Sequence, residues 1–229
     1  MTESAQSSER TAVVGDAALS GFLEIPPGAQ GIVVFAHGSG SSRFSKRNNA
    51  VAAFLRDARL GTFLFDLLTS DEERVDAVTR EHRFNIPLLS MRLRGVVDWI
   101  AHLPEAAGHR IGLFGSSTGA AAALIAAAQL PRQVTAVVSR GGRVDLAGDA
   151  LEQVRSPTLF VVGGADIEVL RLNEAALQKL QGIAELAIVD RATHLFEEPG
   201  ALEEVATLTR NWFVEYLQGN FPEADTRGH

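Results

Sequence analysis

Residues 111–119 read Ile-Gly-Leu-Phe-Gly-Ser-Ser-Thr-Gly, an apolar run that meets Gly115-x-Ser117-x-Gly119 and passes at once into an alanine-rich stretch. A strand that turns into a helix across one serine leaves no room for bulk beside it, hence the glycines at 115 and 119. The strain of the turn lifts the Ser117 hydroxyl clear of the strand end. The next amide, Thr118 N–H, then opens the helix toward any negative charge that develops there. Five residues match by chance; the strand before them and the helix after them give the pattern meaning.

A serine hydroxyl is a weak nucleophile until a base takes its proton, so Ser117 requires partners. Thr158–Asp166 is a second apolar, β-rich run, ending in two glycines, an alanine and an aspartate. Ala184–His194 is a third, ending in a loop that carries a histidine. Ser117, Asp166 and His194 each stand just past the carboxyl end of an expected strand. Along that edge of a parallel sheet, residues remote in sequence converge. His82 falls in a charged stretch, His102 near a helix end, His109 in a turn and His229 at the terminus. Asp145 competes with Asp166 for the acid, because it also follows an expected strand, Val134–Ser139; chain order favours Asp166. Asp166 also opens a helix and suits an N-cap, while Asp190 lies too near His194 in sequence. Upstream, Gly31–Gly40 runs a buried-looking strand into His37-Gly38-Ser39-Gly40. The Ser39 N–H is expected to join Thr118 N–H as an oxyanion donor, and His37 to shape the loop.

The order His37-Gly38, Gly115-x-Ser117-x-Gly119, Asp166, His194 resembles the α/β-hydrolases. HGSGSSR…RN followed by FDLLT resembles their dienelactone hydrolase-like branch, and the likeness runs from about Gly21 to Leu217. It implies an α/β-hydrolase fold: a mostly parallel central sheet of about eight strands, helices on both faces and no large cap domain. It also implies a serine hydrolase that cleaves small carboxylic esters or lactones through an acyl-enzyme, without a cofactor. Perhydrolysis, thioester cleavage and acyl transfer use the same triad. An idle ligand-binding protein of the same fold is the reading from another class. Dienelactone hydrolases proper use a cysteine nucleophile, and this chain has no cysteine. The likeness therefore reaches the fold and the hydrolytic machinery rather than a dienelactone substrate.

Strands alternating with amphipathic helices predict a parallel α/β sheet. Residues 11–25 read as two short strands about Gly15-Asp16. Later strands are expected at Ile32–Ala36, Gly61–Phe65, Ile111–Phe114, Val134–Ser139, Thr158–Val162 and Leu186–Val189. Helices are expected at Lys46–Ala58, Leu88–Leu103, Ile167–Leu180 and Ala201–Leu217, with one from the elbow to Gln129. Asp66–Pro87 shows neither period and reads as a long loop beside the site, with Leu67, Leu68 and Phe84 as apolar contacts to substrate. Ser139-Arg140-Gly-Gly-Arg143 ends a strand at the same edge. Arg140 there suits a substrate carboxylate or phosphate, or else a surface ion pair. Arg43, in the loop after the first parallel strand, carries the same two readings.

Length and charge bound the rest. The 229 residues suit a single domain over 11–218, with a flexible leader at 1–10 and a flexible tail at 219–229. A net charge of −7 argues against nucleic acid as partner. No stretch is apolar for long enough to cross a bilayer, so no membrane partner is expected. Without cysteine there is neither disulfide nor thiolate metal site. No convergent ligand cluster suggests any other metal, and a cytoplasmic location is expected. The sequence does not decide between monomer and homodimer.

Overall fold

The computed structural model describes residues 8–219. One sheet holds eight strands in the order β1-β2-β4-β3-β5-β6-β7-β8. They are β1 (Ser8–Val14), β2 (Ala17–Glu24), β3 (Gly31–Ala36), β4 (Gly61–Phe65), β5 (Arg110–Ser116), β6 (Val134–Arg140), β7 (Thr158–Gly163) and β8 (Ala184–Val189). β1 and β2 form an antiparallel hairpin, and β2 runs antiparallel to β4. Every pairing from β4 through β8 is parallel. β3, β4 and β7 are buried at every residue, the condition of strands covered on both faces.

The covering helices are α1 (Lys46–Asp57), α2 (Ser70–Thr79), α3 (Ile86–Ala101), α4 (Thr118–Gln129), α5 (Ile167–Leu177) and α6 (Ala201–Phe213). Val51 and Leu55 of α1 and Val205 and Phe213 of α6 pack with Val33, Phe35, Phe114 and Val138 on one face. α3 and α4 pack with Val34, Leu113 and Val137 on the other. α4 is buried on nearly every side. Its alanines favour helix and keep its girth small, so the axis can lie close to the sheet. β4 sits to one side of β3 and β5 to the other, and the chain reverses its direction of travel at β3. The carboxyl ends of β3 and β5 therefore flank a switch point, where such sheets open a crevice. That topology sets the loop after β3 against the turn after β5.

The fold expected from the sequence is present, with differences at its margins. β1 already begins at Ser8, so residues 8–10 are strand rather than leader; residues 1–7 and 220–229 lie outside the described residues. The last helix stops at Phe213 and gives way to a π-helical turn over Val214–Gln218. The larger correction concerns Asp66–Pro87, which is not a loop throughout but contains α2. Thr69 and Glu72 form a capping box at its start, each side chain bonded to the other's backbone N–H. Arg92 of α3 clamps Glu72 with two hydrogen bonds of 3.0 and 2.6 Å.

The last turn of α2 carries Asp76, which is 1% exposed. Its carboxylate accepts the amides of His82 and Arg83 at 2.8 and 2.9 Å and the Arg83 Nε at 2.6 Å. Burial works to raise its pKa, but these donors outweigh it and hold the group below the ordinary carboxylate range. Asp76→Ala leaves two amides and a half-buried guanidinium unmatched, and should cost about 3–5 kcal/mol in urea unfolding at pH 7. A carboxyl with a depressed folded pKa stabilises above its unfolded value of about 3.9, and that contribution goes as pH falls through the folded pKa. The gap between wild type and Asp76→Ala should therefore narrow below about pH 4. A gap under about 1 kcal/mol at neutral pH would mean that Asp76 does not hold this connector.

Candidate active site

β5 ends at Ser116, which is 2% exposed, and Ser117 turns the chain with φ 52° and ψ −121° into α4. The strained residue is pinned on both sides. Its N–H donates to Arg140 O at 3.2 Å, and its carbonyl accepts from Ala120 at 3.1 Å and Arg143 at 3.0 Å. At Gly119 a Cβ would strike the Ala36 carbonyl oxygen and stand 2.5 Å from that of His37, so α4 passes this close to β3 only without a side chain. A Cβ on Gly115 would stand 2.7 Å from the Ala120 nitrogen. These contacts are the steric reason for both glycines of the motif.

β7 ends in Gly163, where the loop from β8 crosses so near that a Cβ would meet the Ala192 carbonyl oxygen. Ala165 N–H donates to that same oxygen at 2.9 Å. This crossing delivers His194 to Asp166, Nδ1 to Oδ2 at 2.7 Å. Asp166 occupies the N-cap position of α5 but makes no side-chain cap bond. The His194 ring lies over the end of β6, with Cε1 and Nδ1 3.5 Å from where a Gly141 Cβ would be. Asp145 is engaged elsewhere, bound by Arg143 Nε and Nη2 at 2.9 and 2.8 Å, and that hydrogen bonding lowers its pKa. Asp190 pairs with its neighbour Arg191 at 3.1 Å. Among the described residues no hydrogen bond joins Ser117 to His194. In ligand-free sites such bonds are commonly long and tighten around substrate.

The loop after β3 departs from expectation at Ser39. Its amide proton does not face open space, because it is donated to Thr118 Oγ1 at 3.0 Å, with the two hydroxyl oxygens 3.3 Å apart. Thr118 N–H, first in α4, has no intrahelical acceptor by position. Ser39 N–H can serve an oxyanion only if the Thr118 side chain rotates away. Arg43, in the same loop, pairs with Asp66 and Glu9 and lies over Phe44, with its guanidinium carbon 4.4 Å from the ring centre. It therefore fastens the loop.

Leu67 and Phe84 separate in the structure. Leu67 is buried in the core and borders a cavity of about 10 Å³ with His37, Ser39, Leu68 and Arg83. It is a wall of that small space, not an open contact, because its N–H is tied to His37. Phe84 is 59% exposed and does not border the cavity. Arg140 is buried at the end of β6, whereas Arg143 is spent on Asp145. Arg83, which no sequence motif marks, reaches this cavity, with Nη1 3.2 Å from the site of a Gly40 Cβ. No group of three or more His, Cys, Asp or Glu side chains able to hold a metal ion occurs among the described residues. None of their helices is long and apolar enough to cross a membrane.

Residues 20–216 match the Dienelactone hydrolase family. Proteins from two strains of Mycobacterium tuberculosis, provisionally named phosphoribosyl transferases, are each 52% identical over 210 residues. Those residues are 92% of this chain and 46% of each relative, so the chain spans about half the length of the curated relatives it matches. A crystal structure of dienelactone hydrolase from Anabaena variabilis is 54% identical, with a TM-score of 0.92 over 93% of this chain and 99% of that one. Est1E from Butyrivibrio proteoclasticus shares the fold at 16% identity, with a TM-score of 0.78 over 93% of this chain and 100% of its own.

His37 links the loop after β3 to the loop after β4. Nε2 accepts the Leu67 N–H at 3.1 Å, and Nδ1 lies 2.9 Å from Gly38 O. An amide can only donate and a carbonyl only accept, so the ring is neutral with its proton on Nδ1. Burial lowers its pKa, outweighing the Gly38 contact and the carboxylates of Asp66 and Glu73. The unfolded chain then binds a proton below about pH 6.5 that the folded chain refuses, so this stability is full above that value and declines as pH falls. Wild type should lose stability between pH 7 and 5 with an added slope of up to about 1.4 kcal/mol per pH unit. His37→Gln should lack that slope. Parallel pH–stability curves for the two proteins would contradict the neutral, buried imidazole.

Proposed function

This chain belongs to the dienelactone hydrolase family, and on that premise we propose that it is a serine hydrolase of small carboxylic esters or lactones. The observation that carries the proposal is the 2.7 Å contact of His194 Nδ1 with Asp166 at the sheet edge where Ser117 is strained. A carboxylate accepts, so Nδ1 donates and Nε2 keeps its lone pair for a proton. Ser117 Oγ attacks the carbonyl carbon while His194 Nε2 takes the hydroxyl proton. Thr118 N–H receives the oxyanion, joined by Ser39 N–H when the Thr118 hydroxyl turns aside. The imidazolium, steadied by Asp166, protonates the leaving alkoxide as the C–O bond breaks. Water then attacks the acyl-enzyme with His194 again as base, which frees the acid and restores Ser117.

The absence of a cap among the described residues favours short acyl groups. The phosphoribosyl transferase name belongs to proteins that extend well beyond the matched region. It therefore does not weigh against hydrolysis in the matched part. Arg143 holding Asp145 supports Asp166 as the acid.

Ser117→Ala should lower kcat by about 10⁶-fold and block labelling by a fluorophosphonate. Ser116→Ala should keep most of its activity, since that side chain is enclosed in the sheet. An adduct mapped to Ser116 would overturn the assignment. Asp166→Asn should lower kcat by roughly 10⁴-fold in a protein that stays folded. Asp145→Asn should cost far less, and the reverse ranking would move the acid to the end of β6.

A further inference from the structure

Arg140 is the last residue of β6, and its carbonyl holds the Ser117 amide. In strand alternation its side chain follows Ala136 and Val138 toward the face covered by α1 and α6. It is 8% exposed. Nε and Nη1 are buried without a hydrogen-bond partner, and no carboxylate pairs with the group among the described residues. The neighbouring charge that acts on it is Arg47, in the first turn of α1. Burial and then that repulsion bring its pKa down to about 10, so it remains a cation at neutral pH.

Arg47 is thinly compensated as well. It reaches Glu197 at 3.3 Å, a carboxylate whose side chain is 66% exposed, and its Nε is buried and unpartnered. Other arginines around the site behave differently: Arg43, Arg83, Arg92 and Arg143 each have a carboxylate. Two guanidiniums near enough to repel, one of them buried and unpaired, destabilise a fold unless an anion joins them. Guanidinium forks match the planar or tetrahedral oxygens of carboxylate and phosphate.

We propose that Arg140 and Arg47 form an oxyanion subsite beside Ser117 that takes a carboxylate or phosphate group carried by the substrate. Binding at this subsite stands independently of the reaction; its role in selecting substrate rests on the hydrolase reading. Binding is therefore tested first in Ser117→Ala protein, by titration calorimetry with inorganic phosphate and separately with malonate. At least one of them should bind saturably, about ten- to a hundredfold more weakly when Arg140→Gln or Arg47→Gln is added. Arg47 is partly exposed, so its variant keeps the test valid if Arg140→Gln fails to fold. Binding of phosphate alone assigns a phosphate ester, and of malonate alone a carboxylate. Arg140→Met should also melt higher than wild type in anion-free buffer, because an unpaired buried charge has gone. In the active enzyme, kcat/KM for an anionic ester relative to its neutral match should fall at least tenfold in Arg47→Gln. Failure of both anions to bind, or equal binding in both arginine variants, overturns the subsite. Arginine-dependent binding in a protein that cleaves no ester upholds the subsite and removes the hydrolase reading instead.

Discussion

The positive φ of Ser117 is the constraint to which the surrounding structure answers. A non-glycine residue held there costs on the order of 1–3 kcal/mol and persists only where its neighbours over-determine it. Three backbone hydrogen bonds, one from its N–H and two to its carbonyl, fix it against β6 and the start of α4. Gly119 then lets α4 touch the end of β3, and the alanines of the helix keep that approach possible along its whole length. Through these contacts the turn also sets where the loop after β3 lies. The Ser39–Thr118 bond is thus a consequence of the elbow.

Charge at this edge is not a sample of the whole chain. The net charge of −7 should weakly repel anions at long range. At physiological salt that influence fades within about 8 Å, and inside that distance the arginines decide. Four of them serve architecture: Arg43 fastens the loop after β3, Arg92 clamps α2 to α3, Arg83 completes the connector and Arg143 occupies Asp145. The Arg143 pair bears on the proposed mechanism, since it engages Asp145 while His194 bonds Asp166. Only against that background of paired arginines does the solitary burial of Arg140 carry information.

The elbow and the placement of Asp166 and His194 could be read from the sequence because strand ends, glycines and chain order are local signals. α2 could not be found by periodicity. Its first turn is acidic and its one buried residue is Asp76, so no apolar stripe marks a face. The signal it did offer was Thr69-x-x-Glu72, a capping box without a hydrophobic run behind it. Leu67 illustrates a different limit, since burial depends on what packs over a residue, here the backbone bond to His37 and the wall of α3. The diversion of the Ser39 amide was beyond sequence altogether. It follows from one rotamer of Thr118, a residue chosen in the motif for its backbone.

In the proposed mechanism, the choice of nucleophile accounts for the placing of the histidine against Asp166. A thiol needs little help to become a thiolate near neutral pH, whereas a serine hydroxyl must lose its proton to a base during attack. With serine as the proposed nucleophile, the orientation of His194 would matter as much as its presence. A shift of about 1 Å in a positioned group can cost on the order of a hundredfold in rate. Gly163 meets part of that requirement, because only without a side chain does it admit the loop that carries the imidazole. Asp166 then fixes the ring by leaving its own helix uncapped. The sheet edge thus gives up a capping hydrogen bond and one side chain to place this ring, a demand that, in the proposed mechanism, follows from oxygen rather than sulfur at residue 117.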